Sequence, residues 1–430
     1  MLYYSTNRTS PTVDFRQATI NGQAPDKGLY FPETIPVLKN DFIKGLKTFS
    51  KDEIAFNVMQ PYVGELIPAS ELADITSSAV NFDFPLVSIT DDISTLELFH
   101  GPTLAFKDVG ARFMSRCLGY FARSLNTRVT VLVATSGDTG GAVAAGFAGV
   151  EGVDVIILYP SGKVSKVQEL QLTTWGRNIT ALEVEGNFDD CQRLVKQAFT
   201  DADVAKRRFL TSANSINVAR WLPQQLYYFF AAQQWQSEHP PVIAVPSGNF
   251  GNICAGLLAN KSGLPVQHFI AACNANDSVS GYLQTGVYEP RQAVPTISNA
   301  MDVGHPSNFV RILELFDQQH KSLAQMLSSY SITDDQTRAI IATVHREQSY
   351  LLDPHGAVGY IALQDYLQKH PGSKGFFLET AHPVKFYDVV EPVIKSTIPL
   401  PDAISALTGK PKQATEISAD YEAFRAYLMA

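Results

Sequence analysis

Arg128-Val-Thr-Val-Leu-Val-Ala134 runs directly into Thr135-Ser-Gly-Asp-Thr-Gly140 and then into Gly141-Ala-Val-Ala-Ala-Gly-Phe147, and this stretch decides the fold. A β-branched, apolar run without polar alternation reads as a strand buried on both faces. The glycines after it turn the chain, and the segment from Gly141 reads as a helix start. The same unit recurs further on. Val153-Asp-Val-Ile-Ile-Leu-Tyr159 and Ile179-Thr-Ala-Leu-Glu-Val-Glu185 are strands, with a helical pattern from Lys163 to Trp175 between them. Asn187 is placed to cap a helix through Cys191-Gln-Arg-Leu-Val-Lys196, and Pro241-Val-Ile-Ala-Val245 is another strand, with a Gly-rich loop and a helix behind it. Such alternation predicts an α/β fold with doubly wound, mainly parallel sheets. Ligands of such folds sit at the C-terminal ends of strands, where both Gly-rich loops, 136–141 and 246–252, lie.

The chain has 430 residues, enough for two or three domains. Its expected division is a less regular N-terminal unit over 1–85, a domain over 86–235 and a domain over 236–430. The last domain ends beyond Pro399-Leu-Pro401 in a polar, mostly helical tail, and Gly28-Leu-Tyr-Phe-Pro-Glu33 reads as a turn with exposed aromatics. A net charge of -8 without a basic run gives no footing for nucleic acid. No apolar run reaches the roughly 20 residues of a membrane span. The opening Met1-Leu-Tyr-Tyr-Ser-Thr-Asn-Arg-Thr-Ser10 has no apolar core of a secretory signal, so a cytoplasmic protein is expected. Cys117, Cys191, Cys254 and Cys273 form no CxxC pair, which suggests neither a zinc site nor a disulfide framework.

Pro246-Ser-Gly-Asn-Phe-Gly-Asn252 follows a strand and opens a helix at Ile253. Glycines expose backbone N–H groups there, and a helix N-terminus adds partial positive charge, so the loop can cradle a phosphate without Lys or Arg. A plain strand-to-helix turn would look the same locally. Neither GxGxxG nor GxxxxGK[ST] is present, so this is not a common nucleotide loop. Lys107 follows Leu104, Ala105 and Phe106. Apolar walls would disfavour its ammonium form and give a nucleophilic amine suited to Schiff-base chemistry. A solvated surface lysine is the everyday alternative. A phosphate cradle together with a reactive lysine points to pyridoxal 5′-phosphate (PLP).

Glu97-Leu-Phe-His-Gly-Pro-Thr-Leu-Ala-Phe-Lys-Asp108 resembles the PLP-lysine signature of threonine synthases, within the tryptophan-synthase-β-like (fold type II) PLP enzymes. Ala134 to Gly140, Gly186 to Gln192, Ser212 to Asn217 with Arg220, Pro246 to Asn252, Met301 to Phe309 and Glu379 to Phe386 are similar to further segments of that family, in order. The resemblance implies roles. Lys107 binds the cofactor as a Schiff base and later shuttles protons. Ser247, Gly248, Asn249, Phe250, Gly251 and Asn252 hold its phosphate. Thr380 offers a hydroxyl to the pyridine nitrogen. Asp138 lies beside the 3′-oxygen, where a carboxylate and a phenolate repel unless one of them holds a proton. Thr135, Ser136, Gly137 and Thr139 bind the substrate carboxylate, and Asn214, Ser215 and Arg220 its phosphate. His305 and His382, each before a proline, read as hydrogen-bonded structural histidines.

The implied reaction is a β,γ-replacement that converts O-phospho-L-homoserine and water into L-threonine and phosphate. A phospho-lyase on the same scaffold, releasing 2-oxobutyrate, phosphate and ammonia, is the alternative. Water has to be admitted late, so the segment around 110–230 is expected to close on substrate. Monomer and homodimer are both compatible with the sequence.

Overall fold

The computed structural model describes residues 1–125 and 127–430. Two open sheets dominate it. The first has six strands in the order Leu327–Ser331, His268–Cys273, Val242–Pro246, Gly375–Glu379, Ile93–Glu97, Leu86–Ser88, all parallel except the last pair. The second has five parallel strands in the order Ala414–Ser418, Ile179–Glu185, Val153–Pro160, Val129–Ala134, Phe209–Ser212. Every residue of Val129–Ala134, Val242–Pro246 and His268–Cys273 is buried, as expected where helices cover both faces of a parallel sheet.

The helices start where their caps dictate. Asn187 caps Phe188–Thr200 in a reciprocal box with Asp190. Ser165 and Gln168 do the same for Lys166–Thr173, so the helix expected from Lys163 begins three residues later. The helix expected from Gly141 begins earlier, at Asp138, because Gly137 takes φ 134° and turns the chain directly into it.

Three expectations need correction. Tyr30 and Phe31 are buried, not exposed: the strand Tyr30–Pro32 pairs with Leu2–Ser5, and Phe31 stacks on Trp221 with centroids 5.7 Å apart. The tail is not mostly helical. Its Ala414–Ser418 adds an edge strand to the five-stranded sheet, and Tyr421–Met429 buries Phe424 and Leu428 against the same unit. Finally, the strands do not keep to the expected boundaries. Leu86–Ser88 and Ile93–Glu97 belong to the six-stranded sheet, and the C-terminal strand belongs to the other.

Among the described residues no helix is long and apolar enough to cross a membrane. The four cysteines are buried and unpaired.

Candidate active site

The segment carrying Lys107 is pinned to the end of the strand Gly375–Glu379. Leu98 N–H donates to the Glu379 carbonyl (3.0 Å), Phe106 N–H to that of Thr380 (2.8 Å), and His382 N–H to that of Leu104 (3.0 Å). Leu104 adopts a left-handed φ of 57° to make this turn. Lys107 then opens the helix Lys107–Ala122, beside Thr380. Its side chain is 19 % exposed, which shields the amine but leaves it reachable by a ligand. Burial lowers its pKa below the ordinary lysine value; Asp138 opposes this, while Lys385 and Arg220 reinforce it.

Asp138 sits 3.8 Å from Lys107 Nζ through Oδ2. Its Oδ1 accepts from Lys385 Nζ (2.8 Å) and from Gln168 Nε2 (3.0 Å). Burial alone would raise this carboxyl, but Lys385 first and Lys107 second outweigh it and hold Asp138 well below the usual carboxylate range. Lys385, itself buried, stands as the counter-charge of Asp138 beside the expected cofactor position. That lysine lay in the quoted segment His382-Pro-Val-Lys-Phe386, flanked by Val384 and Phe386. The apolar setting that singled out Lys107 applied equally to it.

Around the first Gly-rich loop, Thr135 Oγ1 accepts the N–H groups of Gly137 and Gly140, each at 2.9 Å. This hydroxyl shapes the loop as an acceptor and keeps its own O–H to donate. Among the described residues the N–H groups of Ser136, Asp138 and Thr139 have no protein acceptor. A Cβ on Gly137 would lie 2.4 Å from the Gln168 side chain, so glycine is required there for space as well as for φ.

The second loop follows Val242–Pro246. Ser247 N–H returns to the sheet and its hydroxyl donates to the Val245 carbonyl (2.7 Å), so Ser247 anchors the loop from below. Phe250 is left-handed at φ 59° and precedes the helix Gly251–Lys261. Among the described residues none of the N–H groups of Gly248, Asn249, Phe250, Gly251 and Asn252 meets a protein acceptor. Five such donors at a helix N-terminus form a cradle for a phosphate. A Cβ on Gly248 would strike the backbone of Met301 at 2.8 Å, which fixes how deep the loop lies.

Arg220 is buried on the short helix Val218–Trp221. One Nη donates to the Ala213 carbonyl, while Nε is buried without an acceptor. Among the described residues it makes no ion pair, and burial pushes its pKa down to about 10. Asn214 likewise buries an unpartnered Oδ1. Ser215 is placed differently. Its Oγ accepts from Asn249 (2.8 Å) and Asn308 (3.1 Å), tying it to the second loop rather than to Arg220.

Other contributors escaped the sequence reading. Arg311, fully buried over Trp221, donates to the carbonyls of Tyr30, Ser215 and Ile216 and to Asn308 Oδ1, so it locks the Ser215 turn to the N-terminal strand. Behind Thr380, the buried Glu379 accepts from Asp353 N–H at 2.6 Å, and Asp353 Oδ2 meets His355 Nδ1 at 2.5 Å. Burial, then the nearby Asp353 charge, raises Glu379 far above the carboxylate range. His382 Nδ1 accepts from Val384 N–H (3.1 Å), and burial pushes its pKa down to about 4. His305 is exposed and bonds Tyr288 (2.9 Å).

The comparisons with known proteins converge on one family. A family model described as pyridoxal-phosphate dependent enzyme matches residues 95–376. Models of the threonine synthase N terminus and C-terminal region match residues 2–80 and 356–428. The threonine synthase of Serratia marcescens is 42 % identical over 431 residues, covering 100 % of this chain and 99 % of the relative. The chain belongs to the threonine synthase family. The crystal structure of threonine synthase from Escherichia coli superposes with a TM-score of 0.92 at 40 % identity, covering 100 % of this chain and 99 % of that one. A PLP-bound threonine synthase from Brucella melitensis superposes at 0.93, with 36 % identity and 100 % and 98 % coverage. The cofactor of this PLP-dependent family fits the site: an amine on a helix start, five open N–H groups for its phosphate, and a hydroxyl at Thr380.

Proposed function

We propose that the chain converts O-phospho-L-homoserine and water into L-threonine and phosphate, the last step of threonine biosynthesis. The observation that carries the reading is Arg220, buried beside the loop 248–252 and without a counter-ion among the described residues, a placement that suits a second anion. A hydroxy-amino-acid dehydratase has no use for a second buried cation of this kind, whereas a substrate that carries phosphate does.

PLP, when bound, supplies an electron sink for negative charge developed on the substrate carbons. Lys107 holds it covalently through Nζ and, once released, takes the proton from the substrate Cα and returns protons later. Gly248 to Asn252 hold its phosphate with backbone N–H groups, with Ser247 beneath. Thr380 Oγ1 meets its ring nitrogen without donating a full charge. Asp138, neutralised by Lys385, stands beside the phenolic oxygen. Thr135, Ser136, Gly137 and Thr139 would hold the substrate carboxylate, on a loop that the Thr135 Oγ1 acceptor and the Gly137 turn shape. Arg220, the Asn214 amide N–H and the Ser215 hydroxyl would hold the substrate phosphate before and after it leaves Cγ, and Ser215 also links this turn to the cofactor cradle. The acidic balance supports a small-molecule enzyme without a nucleic-acid partner, and the buried thiols support a reducing cytoplasm.

The test is to feed the purified protein O-phospho-L-homoserine and to quantify phosphate, threonine and 2-oxobutyrate separately. Threonine in step with phosphate is expected. Phosphate with 2-oxobutyrate and little threonine would replace the synthase reading by a phospho-lyase.

A further inference from the structure

Two lysines and one carboxylate meet at the cofactor cradle. Asp138 Oδ1 is occupied by Lys385 (2.8 Å) and Gln168 (3.0 Å), whereas Lys107 stands 3.8 Å from Oδ2, beyond hydrogen-bond reach. Lys385 is fully buried and also donates to the Thr103 carbonyl (2.8 Å). It is held by two acceptors, and Lys107 by none within hydrogen-bond reach among the described residues. Lys107 also opens the helix Lys107–Ala122, whose N-terminal dipole opposes a positive charge.

The groups facing Lys107 can be counted. Asp138 and Lys385 cancel each other. Arg220 adds an uncompensated positive charge. Asp353 is engaged by His355 Nδ1 and Gly356 N–H. Asp108, on the same helix as Lys107, is bonded to Thr103 N–H and Oγ1, and burial pushes its pKa up. The Tyr227 hydroxyl is spent on the Phe106 carbonyl. A second ammonium ion in this buried cluster would share Asp138, at 3.8 Å, with the closer Lys385, and the cheapest relief is loss of its proton.

We propose that Lys385 is a positioning residue for the cofactor lysine: by serving as the close counter-ion of Asp138 it leaves Lys107 only a distant partner, so that its amine is more easily freed of its proton to condense with the cofactor aldehyde. This rests on the reading of Lys107 as the cofactor lysine. The neutral amine brings the lone pair that forms the C=N bond. The aldehyde oxygen departs as water, taking the two amine hydrogens. An ammonium ion has no lone pair and cannot begin the step.

The experiment uses full-length protein freed of cofactor with hydroxylamine. PLP is added over a range of pH, the rate of growth of the yellow absorbance is recorded, and the product is reduced with borohydride and mapped. The pH midpoint of that rate reports the Lys107 amine. Lys385→Met is expected to move the midpoint upward by about one pH unit or more, because Asp138 then pairs with Lys107. Lys385→Arg, which keeps the charge, is expected to stay near wild type. In an Asp138→Asn background, Lys385→Met is expected to move the midpoint less, by the direct repulsion between the two lysines alone. Circular dichroism and thermal melting check each variant's fold, and the double variant, which lacks the unpaired buried carboxylate, stands in if Lys385→Met does not fold. An unchanged midpoint in Lys385→Met, or equal shifts in the two backgrounds, overturns the proposal. Label on a lysine other than Lys107 in the wild type overturns the site reading beneath it, and the mapping shows this separately from the midpoints.

Discussion

At the scale of single residues, Arg220 is the boldest placement in the molecule. A guanidinium buried without a counter-ion among the described residues destabilises the free protein, and its cost is recovered when an anion arrives. Arg220→Met should therefore leave the fold as stable or more so. It should weaken kcat/KM for O-phospho-L-homoserine by about 30- to 1,000-fold, from the roughly 2–4 kcal/mol of a buried charge-assisted pair. Steady-state kinetics with a parallel thermal melt checks both halves. If the departing phosphate, still held by Arg220, helps to activate the incoming water, the residual turnover of this variant will release phosphate with less threonine. An unchanged ratio of threonine to 2-oxobutyrate would sink that role. Arg220 was legible in the sequence because Ser212-Ala-Asn-Ser-Ile-Asn217 marks its neighbourhood. Arg311 was not. Nothing within its own helix turn tells of acceptors at Tyr30 and Ile216, which arrive from distant segments.

At the scale of elements, the end of the strand Gly375–Glu379 stores a titration. Glu379 is fully buried, and its folded-state pKa lies well above the unfolded value of 4.5. A raised carboxyl contributes stability in full below the unfolded pKa and loses it as pH rises toward the folded one. Glu379→Gln keeps an acceptor for Asp353 N–H but cannot ionise. Relative to wild type, it should gain stability steadily as pH increases from about 5 to 8, an effect urea titrations at several pH values would resolve. A difference independent of pH would show that Glu379 is not held protonated. The first Gly-rich loop gives a steric counterpart. Gly137→Ala places a methyl group 2.4 Å from Gln168 at φ 134°, and should cost about 1–3 kcal/mol of stability. Adding Gln168→Ala should recover only part of this, because the backbone strain remains; complete recovery would show that only the contact mattered.

The strands were the easiest elements to read, since residues such as Val129 to Ala134 are buried on both faces and announce it by composition alone. Edge elements escaped for the opposite reason. Ala414-Thr-Glu-Ile-Ser418 leaves most of its side chains toward solvent, so its strand character comes from the partner Ile179–Glu185 rather than from its own pattern. Tyr30 and Phe31 looked like turn residues because what buries them, Trp221 and Arg311, lies far along the chain. At the candidate site, local chemistry singled out the loop 246–252 and Lys107, and the structure shows open N–H groups in the one and a shielded amine in the other. The pairing of Asp138 with Lys385 needed the fold to bring together segments nearly 250 residues apart.

At the scale of the whole molecule, the proposed catalytic and binding groups are divided between two sheets. The PLP cradle and Thr380 stand on the six-stranded sheet; Thr135 to Thr139 and Asn214 stand on strands or loops of the five-stranded one. Water control in this reaction requires a site that shuts, and a hinge between the sheets is the simplest way to shut it. The segment around 110–230 is the moving part in this proposal, and the C-terminal tail should travel with it. Ala414–Ser418 is hydrogen-bonded to Ile179–Glu185, Lys412 pairs with Glu169 at 2.7 Å, and Arg425 pairs with Asp201 at 2.9 Å. Phe424 and Leu428 bury their side chains in the same cluster, a packing worth roughly 1.5–3 kcal/mol each, which a small rotation would not break. Crystal structures with and without an unreactive phosphonate analogue of the substrate should show residues 129–212 and 414–429 moving as one body against the six-stranded sheet. If 414–429 stays with the six-stranded sheet, the tail is a tether across the hinge instead of cargo. If nothing moves, water is excluded by ligand packing alone, and the hinge has no part in choosing threonine over 2-oxobutyrate.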